Sequence, residues 1–126
     1  MKSKTLIPVL ISLIFLISCH NKREIQYPVC HHVYFWLNNP DNVQDRNTFE
    51  KGIKELVKIP EIKMYHIGKP AKTEKRDVVD NSYTYSYVAF FENIAAHDIY
   101  QKHPIHLQFI KDCKPLFNKV VVYDSN

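Results

Sequence analysis

Apolar residues recur along this chain with two periods, two and about 3.6, and the switches between them mark out its elements. From Tyr27 to Leu37 the period is two. Val29, His31, Val33, Phe35 and Leu37 share one face, and Cys30, His32, Tyr34 and Trp36 share the other. Both faces are apolar or aromatic, which predicts a strand covered on both sides. Asn38 to Asn42 is a turn cluster. A helix is predicted from Val43 or Arg46 to Lys58, with Phe49, Ile53, Leu56 and Val57 on its apolar stripe and Pro60 ending it. Asn47 and Glu50 stand at capping spacing. Gly52 falls beside the stripe, where it costs about 1 kcal/mol relative to Ala. It leaves room for either a packed neighbour or a ligand.

Ile62 to Ile67 reads as a short second strand, closed by Gly68-Lys69-Pro70. Ala71 to Asn81 is charged and aperiodic, a surface loop. Ser82 to Phe91 alternates again, with Tyr83, Tyr85, Tyr87, Ala89 and Phe91 facing one way and Thr84, Ser86, Val88 and Phe90 the other. A second helix, capped by Glu92-Asn93, runs from Ile94 to about Lys114, its stripe being Tyr100, Leu107, Ile110 and Cys113. Val120 to Tyr123 is a fourth strand with no polar face. The order β-α-β-β-α-β predicts an α+β, ferredoxin-like subunit. Two helices cover only one face of its sheet. The other carries Tyr34, Trp36, Val88, Phe90, Val121 and Tyr123, too much apolar surface to stay wet. A second copy packed sheet to sheet through a two-fold axis is the simplest cover, so a homodimer is expected, a dimeric α/β barrel.

The second helix contains the densest chemistry. Tyr100-Gln101-Lys102-His103-Pro104-Ile105-His106 places a phenol and two imidazoles around a proline. Pro104 has no N–H for the carbonyl of Tyr100 and disfavours helical geometry at His103, so the helix should break and restart with Pro104 as its first residue. Imidazole exchanges protons near neutral pH, which makes His106 a candidate base and Tyr100 a proton donor. His103 is suited to tying down the break. His31, among apolar neighbours on the first strand, is either a satisfied core histidine or part of a pocket with Tyr100 and His106. The walls of that pocket would be Val33, Phe35, Tyr87 and Val122. His97 carries no signal in this reading.

The segment before Tyr27 changes the picture of where the domain sits. Lys2 and Lys4 precede an apolar run, Leu6 to Ile17, too short to span a bilayer and suited to a secretory signal. It ends in Leu16-Ile17-Ser18-Cys19, which resembles the lipoprotein box cut before a lipid-bearing cysteine. Residues 1–18 are therefore expected to be a signal peptide, 19–26 a polar tether and 27–126 the single domain. Membrane attachment would be through lipid on Cys19, in a bacterial cell envelope. Of the 17 Lys and Arg, Lys2 and Lys4 leave with the signal, so 15 face 13 Asp and Glu. That small excess excludes a nucleic-acid partner. Cys30 and Cys113 are expected to be free, since their parities put them on opposite sides of the sheet.

Taken together, His31-x-Val33-x-Phe35, Gly68-Lys69, Tyr83-Thr84, Phe91-Glu92, Tyr100-x-x-His103-Pro104-x-His106 and Val122-Tyr123-Asp124 resemble the stress-responsive dimeric α/β barrel (Dabb) family. The likeness runs from about Val29 to Asp124. It implies a ferredoxin-like subunit, dimeric through its sheet, with a cavity between sheet and helices. The family includes the plant olivetolic acid cyclase, which closes an aromatic ring by aldol chemistry. The resemblance implies Tyr100 and His106 as its acid/base residues, His31 as a further cavity histidine and a mainly structural His103. Tyr85 and Tyr87 stand where that cyclase has a histidine and a small aliphatic residue, which implies a narrower pocket here. The candidate site is then Tyr100, His106 and His31 for chemistry, with Val33, Phe35, Tyr85, Tyr87, His103, Phe109 and Val122 around the ligand. The expected function is binding of a small apolar or aromatic molecule by an envelope-tethered domain. Two alternatives stay open: a cyclase or proton-transfer enzyme using His106 and Tyr100, and a metal or haem site from His31, His103 and His106. No cofactor is assigned, and no metal.

Cys19→Ala should abolish acylation and move the protein from the membrane to the soluble fraction on cell fractionation. Unchanged membrane association would refute the lipoprotein reading.

Overall fold

The computed structural model describes residues 24–126. The expected signal peptide, Cys19 and the start of the expected tether lie outside the described residues. Within them the chain forms β1 (Val29–Leu37), α1 (Val43–Leu56), β2 (Met64–Gly68), β3 (Tyr85–Phe91), α2 (Ile94–Lys102), α3 (Pro104–Cys113) and β4 (Phe117–Ser125). A short 3-10 turn, Lys114–Leu116, joins the last two. The four strands make one antiparallel sheet in the order β2-β3-β1-β4, so the fold is ferredoxin-like, with the second helix in two pieces. No helix among the described residues is long and apolar enough to cross a membrane.

The alternation in β1 decides the layering. Val29, His31, Val33, Phe35 and Leu37 are all buried, and α1, α2 and α3 lie over that face. The core joins them to Tyr85, Tyr87, Ala89 and Phe91 of β3 and to Phe49, Ile53 and Leu56 of α1. Tyr100, Phe109 and Cys113 of the split helix complete it. On the open face Tyr34 lies at the centre of an aromatic cluster, with ring centroids 4.4 Å from His32, 4.9 Å from Tyr83 and 6.3 Å from Tyr123. Lys119 covers the Trp36 ring at 4.6 Å.

Several local expectations are corrected. Helix α1 starts a turn before Asn47: Asn42 is its cap, its side chain accepting from the Asp45 N–H at 3.0 Å. Glu50 is therefore mid-helix, where it binds the Tyr85 hydroxyl and Lys69 instead. β3 begins at Tyr85, not Ser82. Thr84 is held to β1 by its N–H on the Phe35 carbonyl and its hydroxyl on the Leu37 N–H. That irregularity breaks the parity, and Tyr83 packs on Tyr34 and Trp36 of the open face. Leu107 and Ile110 are exposed rather than on the buried stripe. The extended backbone at His103 resets the helical phase, so that α3 buries Phe109 and Cys113, with Ile105 half-buried. β4 is longer than its apolar run and lies at the edge of the sheet.

Gly52 takes the packed-neighbour alternative. A Cβ built there would lie 2.8 Å from the Cys113 sulfur and 3.2 Å from a Phe109 ring carbon, so its missing side chain lets α1 close on α3. Cys113 is fully buried, with its thiol pushed up to about 11 by burial. Cys30 is half-buried on the open face of the sheet, and both thiols are free.

Gly52→Ala adds helix propensity worth about 1 kcal/mol but overpacks a rigid contact, which typically costs about 1–3 kcal/mol. A net destabilisation is expected in urea unfolding. Adding Cys113→Ala should recover part of it, so a strictly additive double mutant would contradict the contact.

Candidate functional site

The break between α2 and α3 builds one wall of the site. His103 is extended (φ −64°, ψ 138°), closing α2 through its N–H to the Tyr100 carbonyl at 3.1 Å. The same residue opens α3, its Nδ1 accepting from the Ile105 N–H at 3.2 Å. Pro104 is the first residue of α3, where its missing N–H costs nothing. On a continuous helix, residues six apart point roughly 120° away from each other. The break removes that divergence, and the rings of Tyr100 and His106 meet edge to face at 4.7 Å.

The opposite wall is the sheet. His31 lies in register with Ala89 of β3 and Asp124 of β4. Its Nδ1 sits 2.6 Å from an Asp124 carboxylate oxygen. The pair bridges inside and outside, since the His31 side chain is 6% exposed and that of Asp124 52%. His31 faces Tyr100 at 5.7 Å between ring centroids, His97 at 5.1 Å and Tyr87 at 6.3 Å. The result is a cluster of three imidazoles and two phenols, with one carboxylate at its rim.

Burial dominates its electrostatics. It lowers the pKa of His31 against the opposing pull of Asp124, and lowers that of His106, with His31 adding to the effect. Both rings are thus biased toward the neutral form. Burial raises the pKa values of Tyr87 and Tyr100 well above the usual phenol range, so both remain proton donors. Two buried polar atoms here lack hydrogen-bond partners: the Tyr87 hydroxyl and His106 Nδ1. The Tyr100 side chain approaches Tyr87 and the Gln101 backbone approaches His106 closely enough to shift both groups, but neither contact meets the geometry of a hydrogen bond to these two atoms. A group able both to accept from a phenol and to engage an imidazole nitrogen would satisfy these two atoms.

Of the sequence-predicted residues, the structure brings His31, Tyr87, Tyr100 and His106 together. His103 has its Nδ1 occupied by the cap, and among the described residues the ligand atoms that come together are those of His31, His97 and Asp124, not of His31, His103 and His106. Val33 pairs with Tyr87 and Val122 and forms the floor between β3 and β4. Three expected lining residues belong elsewhere. Phe35 and Phe109 pack with Phe49 and Phe117 in an aromatic core. Tyr85 stacks on Phe49 at 4.5 Å and donates to Glu50 at 2.6 Å, its phenol pushed up to about 12 by burial and that carboxylate. Phe109 also borders a groove of about 630 Å³ between α1 and α3, lined with Gln44, Thr48, Gly52 and Asp112.

Sequence reasoning missed His97 and Asp124. His97 stands three residues before Tyr100 and so shares its helical face. Asp124 shares the strand parity of Val122. Both signals were present. The Gln101 amide nitrogen holds His97 Nε2 at 3.2 Å, and Asp98 lies 4.0 Å from His97 Nδ1.

These histidines set a pH dependence. A histidine whose folded pKa lies below its unfolded value of about 6.5 binds its proton more readily when the chain is unfolded. Stability should therefore be flat above about pH 7 and fall as the pH drops through 6.5 toward the lowered folded values of His31 and His106. Urea midpoints across pH 5 to 8 test this. A midpoint that rises on acidification would show that the imidazoles are charged in the fold.

The family profile described as "Stress responsive A/B Barrel Domain" matches residues 29–126. No curated protein sequence matches the chain. Among solved structures, Arabidopsis thaliana At3g17210 is similar at 26% identity, with a TM-score of 0.65 over 79% of this chain and 94% of that one. The hydroxynitrile lyase of Passiflora edulis aligns at 23% identity and TM-score 0.66, over 79% of this chain and 93% of its own. A dimeric ferredoxin-like protein of unknown function from Thermobifida fusca aligns at 20% and 0.63, over 82% and 94%.

Proposed function

Because the chain belongs to the stress-responsive A/B barrel domain family, we propose that it binds a small, largely apolar or aromatic molecule carrying an oxygen function, held between sheet and helices as one half of a homodimer. The observation that carries this reading is the pair of unpartnered buried atoms, the Tyr87 hydroxyl and His106 Nδ1, in a cluster walled by Tyr100 and His31. A buried unsatisfied polar group costs about 1–3 kcal/mol, and a ligand oxygen between phenol and imidazole relieves that cost. The aromatic open face of the sheet supports dimerisation, as does the likeness to a protein described as dimeric. Tethering to the envelope membrane through Cys19 is part of the same proposal and rests on the sequence around that residue.

A second reading is proton transfer on the bound molecule. It is favoured by the adjacency of a phenol kept protonated, Tyr100, and an imidazole biased toward neutrality, His106. His106 would remove a proton from carbon or oxygen of the ligand, and Tyr100 would donate to the oxygen that gains charge. One protein sharing this fold is a hydroxynitrile lyase, so the scaffold accommodates acid/base chemistry.

Native mass spectrometry of the purified full chain tests both parts of the main proposal. The expected spectrum is a dimer carrying a small-molecule adduct. Tyr87→Phe and His106→Ala should each lose the adduct, whereas exposed Tyr65→Phe should keep it. Tyr87→Phe should also match or exceed the parent in urea, because it removes a buried hydroxyl that has no partner. An adduct unaffected by both site variants would overturn the assignment, and a monomer without adduct would overturn the whole reading.

A further inference from the structure

We propose that His31, His97 and Asp124 form a binding site for a divalent transition-metal ion of the zinc class. Each residue offers one ligand atom, and these atoms lie within 4.8 Å of one another. They come from three elements: β1, the first turns of α2, and β4. Two imidazoles and one carboxylate are a donor set that zinc and its neighbours in the first transition row favour, with coordination positions left open. Metal–ligand bonds of about 2.1 Å set ligand atoms roughly 3–3.5 Å apart, so closing on an ion takes side-chain rotation and no movement of the sheet.

The geometry of the empty trio resembles one in which a proton occupies the place of the ion. His31 Nδ1 and the Asp124 carboxylate share that proton across 2.6 Å. Binding is a substitution: the ring proton of neutral His31 is carried on Nε2 in place of Nδ1, and the ion takes the freed Nδ1 lone pair beside the Asp124 carboxylate, with no net proton released. His97 then adds the third donor from across the core, its ring 5.1 Å from that of His31 and tilted 54° to it. Gln101 restrains that ring through its amide at 3.2 Å, and the Asp98 carboxylate nearby adds negative charge. Entry is from the side of Asp124, whose side chain is 52% exposed, while that of His97 is 15% exposed.

The ring of Tyr87, a residue 1% exposed, meets that of His31 edge-on, and its hydroxyl is buried without a hydrogen-bond partner. That hydroxyl is the atom both readings share; the metal site itself stands on the ligand atoms of His31, His97 and Asp124.

The test is calorimetric titration of the metal-free full chain, without a histidine tag, with Zn²⁺, paired with Co²⁺ titration read by visible d–d absorption. One ion per chain is expected. His97→Gln and Asp124→Asn should each weaken zinc binding by at least about tenfold and abolish the cobalt band, while His66→Gln on exposed β2 leaves both intact. The His97 side chain is 15% exposed and packs on Phe91 and Tyr100, so urea midpoints are read beside binding, and Asp124→Asn, at a side chain 52% exposed, is the variant that leaves the core packing in place. Absence of saturable binding would overturn the proposal. So would affinity and a cobalt spectrum indifferent to both substitutions. The readout involves no small molecule, so its failure is distinguishable from loss of the native adduct.

Discussion

The rest of the site depends on one backbone constraint, the interruption at His103-Pro104. A proline inside a helix removes one hydrogen bond and crowds the preceding turn, at a cost of about 3 kcal/mol or more. Here the cost is avoided by ending one helix and starting another. His103 is the joint, giving its N–H to the Tyr100 carbonyl and its ring nitrogen to the Ile105 N–H. Because both ends are capped by one residue, the angle between the helices is fixed by hydrogen bonds, not left to packing. That angle places His106 against Tyr100. It also turns Leu107 and Ile110 outward while Phe109 and Cys113 go in.

The second constraint is the crowding of the core. Nine large side chains there are essentially without exposure, three of them tyrosines: Tyr85, Tyr87 and Tyr100. A buried phenol needs a partner for its hydroxyl. Tyr85 has one in Glu50, reached at the end of β3 where α1 brings a carboxylate to the rim. Tyr87, two residues further along the same strand and on the same face, has none. The two residues thus divide a structural end of the core from a functional one. Such separation is what distinguishes packing from a site: one end is satisfied within the chain and the other is not.

This division also explains how far the sequence could be read. The fold was legible because its signals are local: the double alternation of Val29 to Leu37, the single helical stripe through Phe49 and Ile53, and the order of elements. Tyr100 and His106 were legible because a proline stands between them and its effect on a helix is known. Phe35, Tyr85 and Phe109 were misplaced for the opposite reason. Parity puts them on the right face, but says nothing about which end of the face they occupy. Distance along a strand is set by register with neighbours, and register is a property of pairs. The same limit hid Asp124, whose place opposite His31 follows only from the pairing of β1 with β4. His97 lies in α2 before the break, three residues ahead of Tyr100, and only its contact with His31 across the core distinguishes it from an ordinary helix-face histidine.

Register therefore does more than align the strands. Pairing of His31 with Asp124 brings a buried imidazole to an exposed carboxylate at the sheet's edge, and pairing of Val33 with Tyr87 and Val122 sets a phenol one step deeper. Shifting β4 by one residue would put Tyr123 opposite His31 and send Asp124 to the open face opposite Cys30, beside His32, where a carboxylate is costly to cover. The length of β4, running past its apolar core to Ser125, holds that register with pairs from Leu37 to Cys30. The last pairs of that edge strand are the ones that set the Asp124 carboxylate against His31.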